Sequence, residues 1–505
     1  MSSSMAIIAF VLNVVIGFWS SPFIVAHLGT EAYGFSSLGG NFTTYMSLMT
    51  VAVNAFAARY ITIAIHEKDD ELASRYFTSV FYANVIIALV MLVPIGIIVM
   101  NLENIFSISS SLVPDVRIQW AILFGSWILE LLFKVFSTAT FVRNRLDINY
   151  RLTAVSNVLR LLVLLIMFSF FPAHVWYIGL AALICSGYVI IGHYRTKRRL
   201  LPEVRIRRQY FDWQCLKTLV VKGIWNSINQ MASLLMHGFD LVITNLAVDS
   251  TSMGLYSVAQ MIPNYLQSLM YTLCDLFNPN LTVSYAKGKY SEVRDGLLFA
   301  MRFNALLLLV PLLGFFVYGR DFFSLWQYSL DEQAISTVFI LSTLVILPMI
   351  SGVFVQPLLT INTITAKLRI PVYVNIVIGV LNIVIELILV KTTNLGVYAI
   401  AGVSSVLLLL RNYLFYPMYC ARQINMPCST FYPTILRGTA VGTVCFVFLY
   451  ATHALVEVTS WGTLIAYALL FGLSAEGIAF VLLLDKHERT KVVQMCKEKV
   501  LKKRS

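Results

Sequence analysis

Charged residues are scarce in this chain. Its 505 residues are 58% hydrophobic and only 12% charged, whereas a soluble protein usually carries about 25% charged residues. So few charges cannot cover the surface of a soluble domain, and the composition indicates an outer surface that faces hydrocarbon. A membrane crossing with its connection takes roughly 35 residues, so the length predicts about fourteen transmembrane helices in an all-α polytopic protein.

Sequence motifs for catalysis and cofactor binding are also lacking. The seven cysteines show no CxxC or other metal-ligand spacing, and the chain has no glycine-rich P-loop for ATP. The seven histidines lie mostly at predicted helix ends, again without metal-ligand spacing. We therefore expect neither a metal nor a cofactor, and a transporter rather than an enzyme.

The apolar runs and the basic connections together predict a topology. The helices are expected at 5–26, 38–65, 78–100, 117–142, 152–171, 175–194, 218–246, 254–284, 297–318, 334–361, 372–390, 396–420, 433–451 and 460–484. Lysine and arginine concentrate after the even-numbered helices, which predicts that both termini are cytoplasmic. The net charge of +12 is therefore assigned to topology and lipid headgroups rather than to nucleic acid. The first apolar stretch is longer than a signal-peptide core, so it is expected to remain as helix 1.

Two halves of the chain resemble each other at an offset of about 220 residues. The segment Leu28-Gly29-Thr30-Glu31-Ala32-Tyr33-Gly34 matches the segment that ends at Gly254, and Val93-Pro94 matches Val310-Pro311. An even number of helices per repeat makes the repeats parallel, with a ligand site expected between them near mid-membrane. The predicted organisation is an N-lobe at 1–194 (helices 1–6), a basic linker at 195–217 and a C-lobe at 218–420 (helices 7–12). Helices 13–14 at 421–484 and a basic cytoplasmic tail at 485–505 follow.

Charges inside the predicted helices mark candidate binding residues, because an arginine at the bilayer centre costs about 2.5–3.5 kcal/mol and should face a protein interior. Arg59 and Arg160 stand out, with Asn54 and Asn157 near them in sequence. Arg302 and Arg411 are further candidates, although either side chain can instead snorkel to the membrane surface. Glu130 and Lys134 are four residues apart, so an intrahelical ion pair competes with a functional role.

Acidic residues inside the predicted helices are the candidates for ion coupling. They are Asp240, Asp275 and Glu386. His237 lies three residues before Asp240 on the same helix face, so the two residues can form a proton or sodium relay or a structural hydrogen bond. A surplus of arginine over acid predicts a cavity that attracts an anionic substrate, because guanidinium matches phosphate oxygens bidentately.

The chain resembles the polysaccharide flippase branch (the Wzx-type, lipid-linked oligosaccharide flippases) of the multidrug/oligosaccharidyl-lipid/polysaccharide (MOP) exporter superfamily. The resemblance covers the whole chain and is carried by Leu28-Gly29 with Tyr33-Gly34, similar to the family pattern LG-x-x-x-YG, and by the Gly254-Leu255-Tyr256-Ser257 segment after helix 7. It implies two MATE-like lobes around a cationic cavity that opens alternately to either side of a bacterial cytoplasmic membrane.

The resemblance also implies a cargo and partners. The cargo would be an undecaprenyl-diphosphate-linked oligosaccharide for surface polysaccharide synthesis, with coupling to H⁺ or Na⁺ and partners among the polysaccharide polymerase and chain-length machinery. A multidrug or cation antiporter and a lipid II flippase share the expected fold and stay open as alternatives. A membrane-embedded polymerase or glycosyltransferase is disfavoured, because the longest predicted external loop, 101–116, is only about 16 residues long.

Overall fold

The computed structural model describes residues 2–365 and 367–490, and side chains are described for 11–236, 238–365 and 367–490. Within those ranges the chain is helical and contains no strand, which confirms the predicted all-α class. The α-helices of the first half are α1 (Ser2–Asn54), α2 (Ala57–His66), α3 (Asp70–Met100), α4 (Leu102–Ile105), α5 (Val113–Phe133), α6 (Thr138–Val142), α7 (Leu146–Phe170), α8 (Trp176–Leu200), α9 (Trp213–His237), α10 (Asp240–Ala247) and α11 (Ser250–Ala259).

The second half continues without strands in the described ranges. Its α-helices are α12 (Met261–Asp275), α13 (Asn278–Ala286), α14 (Tyr290–Trp326), α15 (Glu332–Ile364), α16 (Arg369–Thr392), α17 (Val397–Leu410), α18 (Tyr416–Gln423), α19 (Tyr432–His453), α20 (Trp461–Tyr467) and α21 (Leu473–Leu483). Short 3₁₀ turns lie at Lys134–Ser137 and Arg208–Tyr210, and single π-helical turns lie at Arg411–Phe415 and Ala468–Gly472.

Eleven helical stretches of the described residues are long and apolar enough to cross a membrane. The first, Val11–His66, has 56 residues and would be about 84 Å long if straight, far more than a bilayer core of about 30 Å. It is broken at Gly29, whose φ of 85° and ψ of 166° are non-helical, so it is long enough for more than one crossing. The 25-residue helix α9 is also long enough to cross but is not among the eleven. The count of fourteen therefore stays a prediction.

The chain divides into two compact units. Unit 1 comprises Met1–Val258 and Val372–Thr392, and unit 2 comprises Ala259–Pro371 and Thr393–Ser505. In unit 1, α1 packs against α5, α7 and α9, while α8 packs against α5 and α7. In unit 2, the long helices α14 and α15 pack together, and α14 also contacts α19. The lobe boundaries predicted from sequence stay a prediction.

The two glycines that end the repeated motif meet inside unit 1. A methyl group on Gly34 would lie 2.9 Å from the Cα of Gly254, and one on Gly254 would lie 2.3 Å from the carbonyl oxygen of Thr30. Both positions therefore need glycine, because any side chain would push the two backbones apart. The motif residues thus form a close contact between α1 and α11.

Helix breaks repeat at nearly the same offset along the chain. The helix of the first repeat is interrupted at Ala55–Phe56 between α1 and α2, and that of the second at Leu276–Phe277 between α12 and α13. The first break contains no proline or glycine, whereas the second is followed by Pro279 in the first turn of α13, where proline cannot donate a backbone hydrogen bond to the preceding turn. A feature shared by both halves at corresponding positions is what an internal repeat would produce.

A short segment between α4 and α5 is anchored to two other helices of unit 1. The fully buried amide of Asn245 accepts a hydrogen bond from the Ser107 backbone N–H at 3.0 Å and donates to the Ser107 carbonyl at 2.9 Å. The Glu31 carboxylate accepts from the backbone N–H and the hydroxyl of Ser109 at 2.8 and 2.6 Å. We call this set of four hydrogen bonds the Ser107 clasp.

Candidate functional site

A polar cavity of about 420 Å³ lies within unit 1, between the end of α1, the end of α5 and the middle of α9. Eight of its twelve lining residues are polar or charged, which is unusual in a chain with so few charges. The lining residues are Ser47, Thr50, Val51, Asn54, Ala55, Trp127, Glu130, Leu131, Lys134, Asn226, Asn229 and Gln230. Ligand sites typically enclose about 300–1,000 Å³, so the cavity is large enough to hold part of a substrate.

Helix α9 contributes a row of three amides. Asn226, Asn229 and Gln230 are spaced i, i+3 and i+4, which places them on one helix face. One turn earlier, the backbones of α9 and α1 come into close contact. A Cβ on Gly223 would lie 2.0 Å from the carbonyl oxygen of Ala52. Glycine at this position thus lets α9 lie directly against α1, so that its amide face borders the cavity.

The part of the wall formed by α1 and α5 is held in place by hydrogen bonds. The amides of Asn54 and Asn84 donate to each other at 3.0 and 3.2 Å, and Asn84, on α3, is fully buried. The indole N–H of Trp127 donates to the Ser47 hydroxyl at 2.9 Å. These two contacts fix one polar and one aromatic side chain in the cavity wall.

One acid and one base face the cavity without pairing. The Ser186 hydroxyl of α8 donates to the Glu130 carboxylate, and the described residues include no carboxylate within ion-pair distance of the Lys134 ammonium. Of the two readings of this i, i+4 pair, the intrahelical ion pair is therefore not formed. Lys134 opens the 3₁₀ turn that follows α5, which rotates its side chain away from the ideal i, i+4 position.

The structure places the four candidates of the first lobe in different surroundings. Asn54 lines the cavity. Arg59 lies one turn into α2, is exposed, and has no hydrogen bond or ion pair to any described residue. Arg160 is half-buried on α7, and its Nε is buried without a hydrogen-bond partner among the described residues. Asn157 lies one turn before Arg160 on α7 and is half-buried.

The two arginine candidates of unit 2 have partners in their own unit. Arg302 donates to Asp485 at 2.6 Å and to Glu488 at 2.9 Å, and its side chain is only 16% exposed. Arg411 lies at the start of the π-helical turn, where its guanidinium stacks over the Tyr416 ring at 5.1 Å. Both side chains are therefore already engaged, Arg302 in an ion-pair cluster at the end of α21.

The ion-coupling candidates separate by burial. Asp240 is buried and accepts a hydrogen bond from the Tyr256 hydroxyl at 2.9 Å, and Glu386 is fully buried and accepts from the Asn382 amide at 2.6 Å. Asp275 is exposed and accepts from the Asn278 amide at 2.9 Å. The side chain of His237 lies outside the described residues, so the predicted relay with Asp240 stays a prediction. Among the described residues, no cluster of three or more His, Cys, Asp or Glu could hold a metal ion.

Sequence reasoning missed most of the cavity lining. For Lys134 the sequence left a functional role open beside an ion pair with Glu130, and it drew no attention to the α9 amides. The sequence did contain a signal, because Asn226, Asn229 and Gln230 put three amides on one face of a predicted membrane helix. Amides facing hydrocarbon would be costly, so such a face predicts a protein or aqueous interior.

Known structures share this fold. The chain matches a structure described as lipid II flippase MurJ in an inward closed conformation, with a TM-score of 0.69 and 13% identity, over 94% of this chain and 97% of that one. It matches an inward-facing multidrug resistance MATE family transporter of the MOP superfamily with a TM-score of 0.66 and 12% identity, over 85% and 99%. The chain therefore shares the fold of these two structures.

Sequence comparison identifies a closer relative. No protein-family model matches the chain. The chain is 30% identical over 488 residues to the uncharacterized membrane protein EpsK of Bacillus subtilis (strain 168), which covers 96% of this chain and 95% of the relative. The chain belongs to the same family as that EpsK membrane protein.

Proposed function

We propose that this protein moves an undecaprenyl-diphosphate-linked oligosaccharide across a bacterial cytoplasmic membrane by alternating access. The observation that carries the proposal is the polar cavity of unit 1, where three amides and an unpaired lysine line a space inside an otherwise apolar helix bundle. A headgroup of sugars and phosphates needs hydrogen-bonding groups and a cation, whereas its lipid tail can stay in the bilayer. In this proposal both termini are cytoplasmic, and a polysaccharide polymerase receives the cargo.

The diphosphate is assigned to three cations of unit 1, one of which lines the cavity. Lys134 lines the cavity, and Arg59 follows the lining residues Asn54 and Ala55 by one turn of α2. Arg160 offers a buried Nε without a partner among the described residues. Three cations can neutralise two phosphate groups. Arg302 and Arg411 are left out, because their guanidinium groups already contact Asp485 and Tyr416.

A lipid extract from a strain that lacks the protein tests the proposal. Mass spectrometry should find an accumulated polyprenyl-diphosphate carrying one complete oligosaccharide unit, together with loss of a surface polysaccharide. The wild-type gene should reverse both effects, and a variant with Arg59→Ala, Arg160→Ala and Lys134→Met should not. A normal lipid profile with altered drug sensitivity would instead indicate a multidrug exporter and refute the proposal.

A lipid II flippase is the second candidate. The match to the MurJ fold covers 94% of this chain, more than the 85% covered by the MATE transporter. The same lipid extract separates the candidates, because loss of a lipid II flippase should be lethal on depletion and should accumulate lipid II. A viable deletion strain that accumulates a different lipid-linked oligosaccharide would exclude this alternative.

A further inference from the structure

The amide face of α9 is an open hydrogen-bonding surface. Asn226, Asn229 and Gln230 line the cavity, and their side chains have no hydrogen-bond partner among the described residues. Each primary amide offers two N–H donors and one carbonyl acceptor. A ligand with many hydroxyl groups, each both a donor and an acceptor, can use such a surface fully, whereas a purely anionic group can use only its donors.

The charge of the cavity favours the same class of ligand. Its twelve lining residues include one cation, Lys134, and one anion, Glu130, so the formal charges cancel. Sites that bind phosphate groups use a surplus of arginine or lysine. The amide face therefore suits an uncharged part of a ligand, and the lysine at its edge is left for an adjoining anion.

The rest of the wall is prepared for binding. Asn84 holds Asn54 through two hydrogen bonds, and Ser47 holds the indole of Trp127. Groups that are already held lose little entropy when a ligand arrives. A lining that combines the indole of Trp127 with hydrogen-bonding amides matches a sugar ring, which has apolar C–H groups and polar hydroxyls.

From these features we infer that the cavity is a carbohydrate subsite, in which Asn226, Asn229 and Gln230 hydrogen-bond an uncharged sugar of the transported headgroup. The inference rests on the proposed function and assigns the sugar and the diphosphate to different side chains. The α9 amides recognise hydroxyl or N-acetyl groups, and Lys134 lies at the boundary with the diphosphate.

Equilibrium binding to the purified full-length protein in detergent tests this assignment with two probes. The first probe is the oligosaccharide released by mild acid from the lipid that accumulates in the deletion strain, and the second is undecaprenyl diphosphate without sugar. The triple variant Asn226→Ala, Asn229→Ala and Gln230→Ala should bind the oligosaccharide at least tenfold more weakly and undecaprenyl diphosphate within twofold of wild type. Ser233→Ala is the matched control, because Ser233 lies on α9 outside the lining and bonds only its own helix at Asn229.

Retained binding of undecaprenyl diphosphate shows that the triple variant is folded. If that binding is also lost, the single variants Asn229→Ala and Gln230→Ala are measured instead. Each should bind the oligosaccharide two- to fivefold more weakly than wild type. Wild-type affinity for the oligosaccharide in the folded variants would overturn the subsite, as would an oligosaccharide that carries charge on every sugar. Neither result would refute the flippase, which fails only if the deletion strain accumulates no lipid-linked oligosaccharide.

Discussion

Lys134 is the cation on which the proposed cavity chemistry depends most directly. It lies at the first position of a 3₁₀ turn, so its ammonium group faces the cavity rather than Glu130. Replacement by methionine keeps the length of the side chain and removes the charge. A charge-assisted hydrogen bond contributes about 1.5–3 kcal/mol, so Lys134→Met should weaken binding of undecaprenyl diphosphate roughly tenfold or more.

Lys134→Arg is the matched control for that prediction, because it keeps the charge and should retain most of the affinity. The measurement is equilibrium binding of undecaprenyl diphosphate to the purified protein. If Lys134→Met binds this lipid like wild type, the lysine does not contact the diphosphate, and Arg59 and Arg160 alone would have to hold it.

Asp485 gives a residue-scale prediction on stability and pH. The Arg437 guanidinium hydrogen-bonds its carboxylate at 2.9 Å, and this bond, helped by Arg302, holds the pKa of Asp485 below its ordinary value. A lowered pKa stabilises the fold above the unfolded-state pKa of about 3.9 and loses that stabilisation as the pH falls through the folded-state pKa. Asp485→Asn should therefore lower the free energy of unfolding at pH 7, and with it the Tm. The expected loss is on the order of 0.5 kcal/mol, because the side chain is 53% exposed.

Thermal unfolding in detergent at pH 7 and below about pH 4 checks the Asp485 prediction. The difference between variant and wild type should shrink on acidification. Glu67→Gln is the control, because Glu67 is exposed and has no side-chain partner among the described residues. A difference of equal size at both pH values would show that packing, and not the paired charge, explains the loss.

At the scale of helices, Gly223 fixes the distance between α9 and α1. A methyl group there would lie 2.0 Å from a backbone oxygen of α1, so Gly223→Ala must displace one helix. We expect a lower Tm and weaker binding of the oligosaccharide, because the amide face moves with α9. Gly187→Ala on α8 is the control, since a Cβ there meets open space and replacing glycine within a helix gains about 0.5–1 kcal/mol. Equal effects of the two substitutions would contradict the close approach.

The Ser107 clasp predicts how one loop responds to a single amide. Asn245→Ala removes the partner of the Ser107 N–H and carbonyl. Because Ser107 is exposed, water can replace the amide, so each lost hydrogen bond costs about 0.5–1.5 kcal/mol. Hydrogen exchange followed by mass spectrometry should show faster exchange in residues 106–112, with no change in α3. Asn101→Ala is the control, because the Asn101 side chain donates only to its own helix at Ile97. Unchanged exchange at 106–112 would mean that Glu31 alone holds the loop.

At the scale of the whole molecule, composition and periodicity predicted the all-helical membrane class, because the scarcity of charge is a property of the entire chain. The motif match of Gly34 with Gly254 was also visible in the sequence, and these glycines are in contact. Pro279, in the first turn of α13, is the sequence signal for the break at Phe277. The break at Phe56 was not predicted, since no proline or glycine marks it. Such breaks arise from tertiary packing, which local propensity does not report.

The candidate site was harder to predict than the fold. A charge inside an apolar helix indicates that the side chain faces protein, but it does not distinguish a binding cavity from an ion pair with another segment. Arg302 illustrates this, because it pairs with Asp485 and Glu488 about 180 residues away in sequence. Asn54 was found because it lies close to Arg59 in sequence, whereas Asn226 and Asn229 carry no charge and were overlooked. Neutral amides in a membrane helix are therefore as informative as charges when they share one face.

Energy coupling is the prediction that involves the whole transport cycle. Asp240 and Glu386 are buried carboxylates held by Tyr256 and Asn382, whereas Asp275 is exposed. A buried carboxylate binds a proton or a sodium ion readily, because either cation removes the cost of burying the negative charge. Asp240→Asn and Glu386→Gln should therefore make flipping in proteoliposomes insensitive to imposed H⁺ and Na⁺ gradients.

Asp275→Asn is the control for coupling, because water already solvates an exposed carboxylate and little is gained when it binds a cation. This variant should respond to both gradients like wild type. Testing the gradients separately identifies the ion, since only the coupled one should accelerate wild-type flipping. A wild-type response in both Asp240→Asn and Glu386→Gln would place coupling elsewhere, and a loss in only one of them would assign the ion to that carboxylate alone.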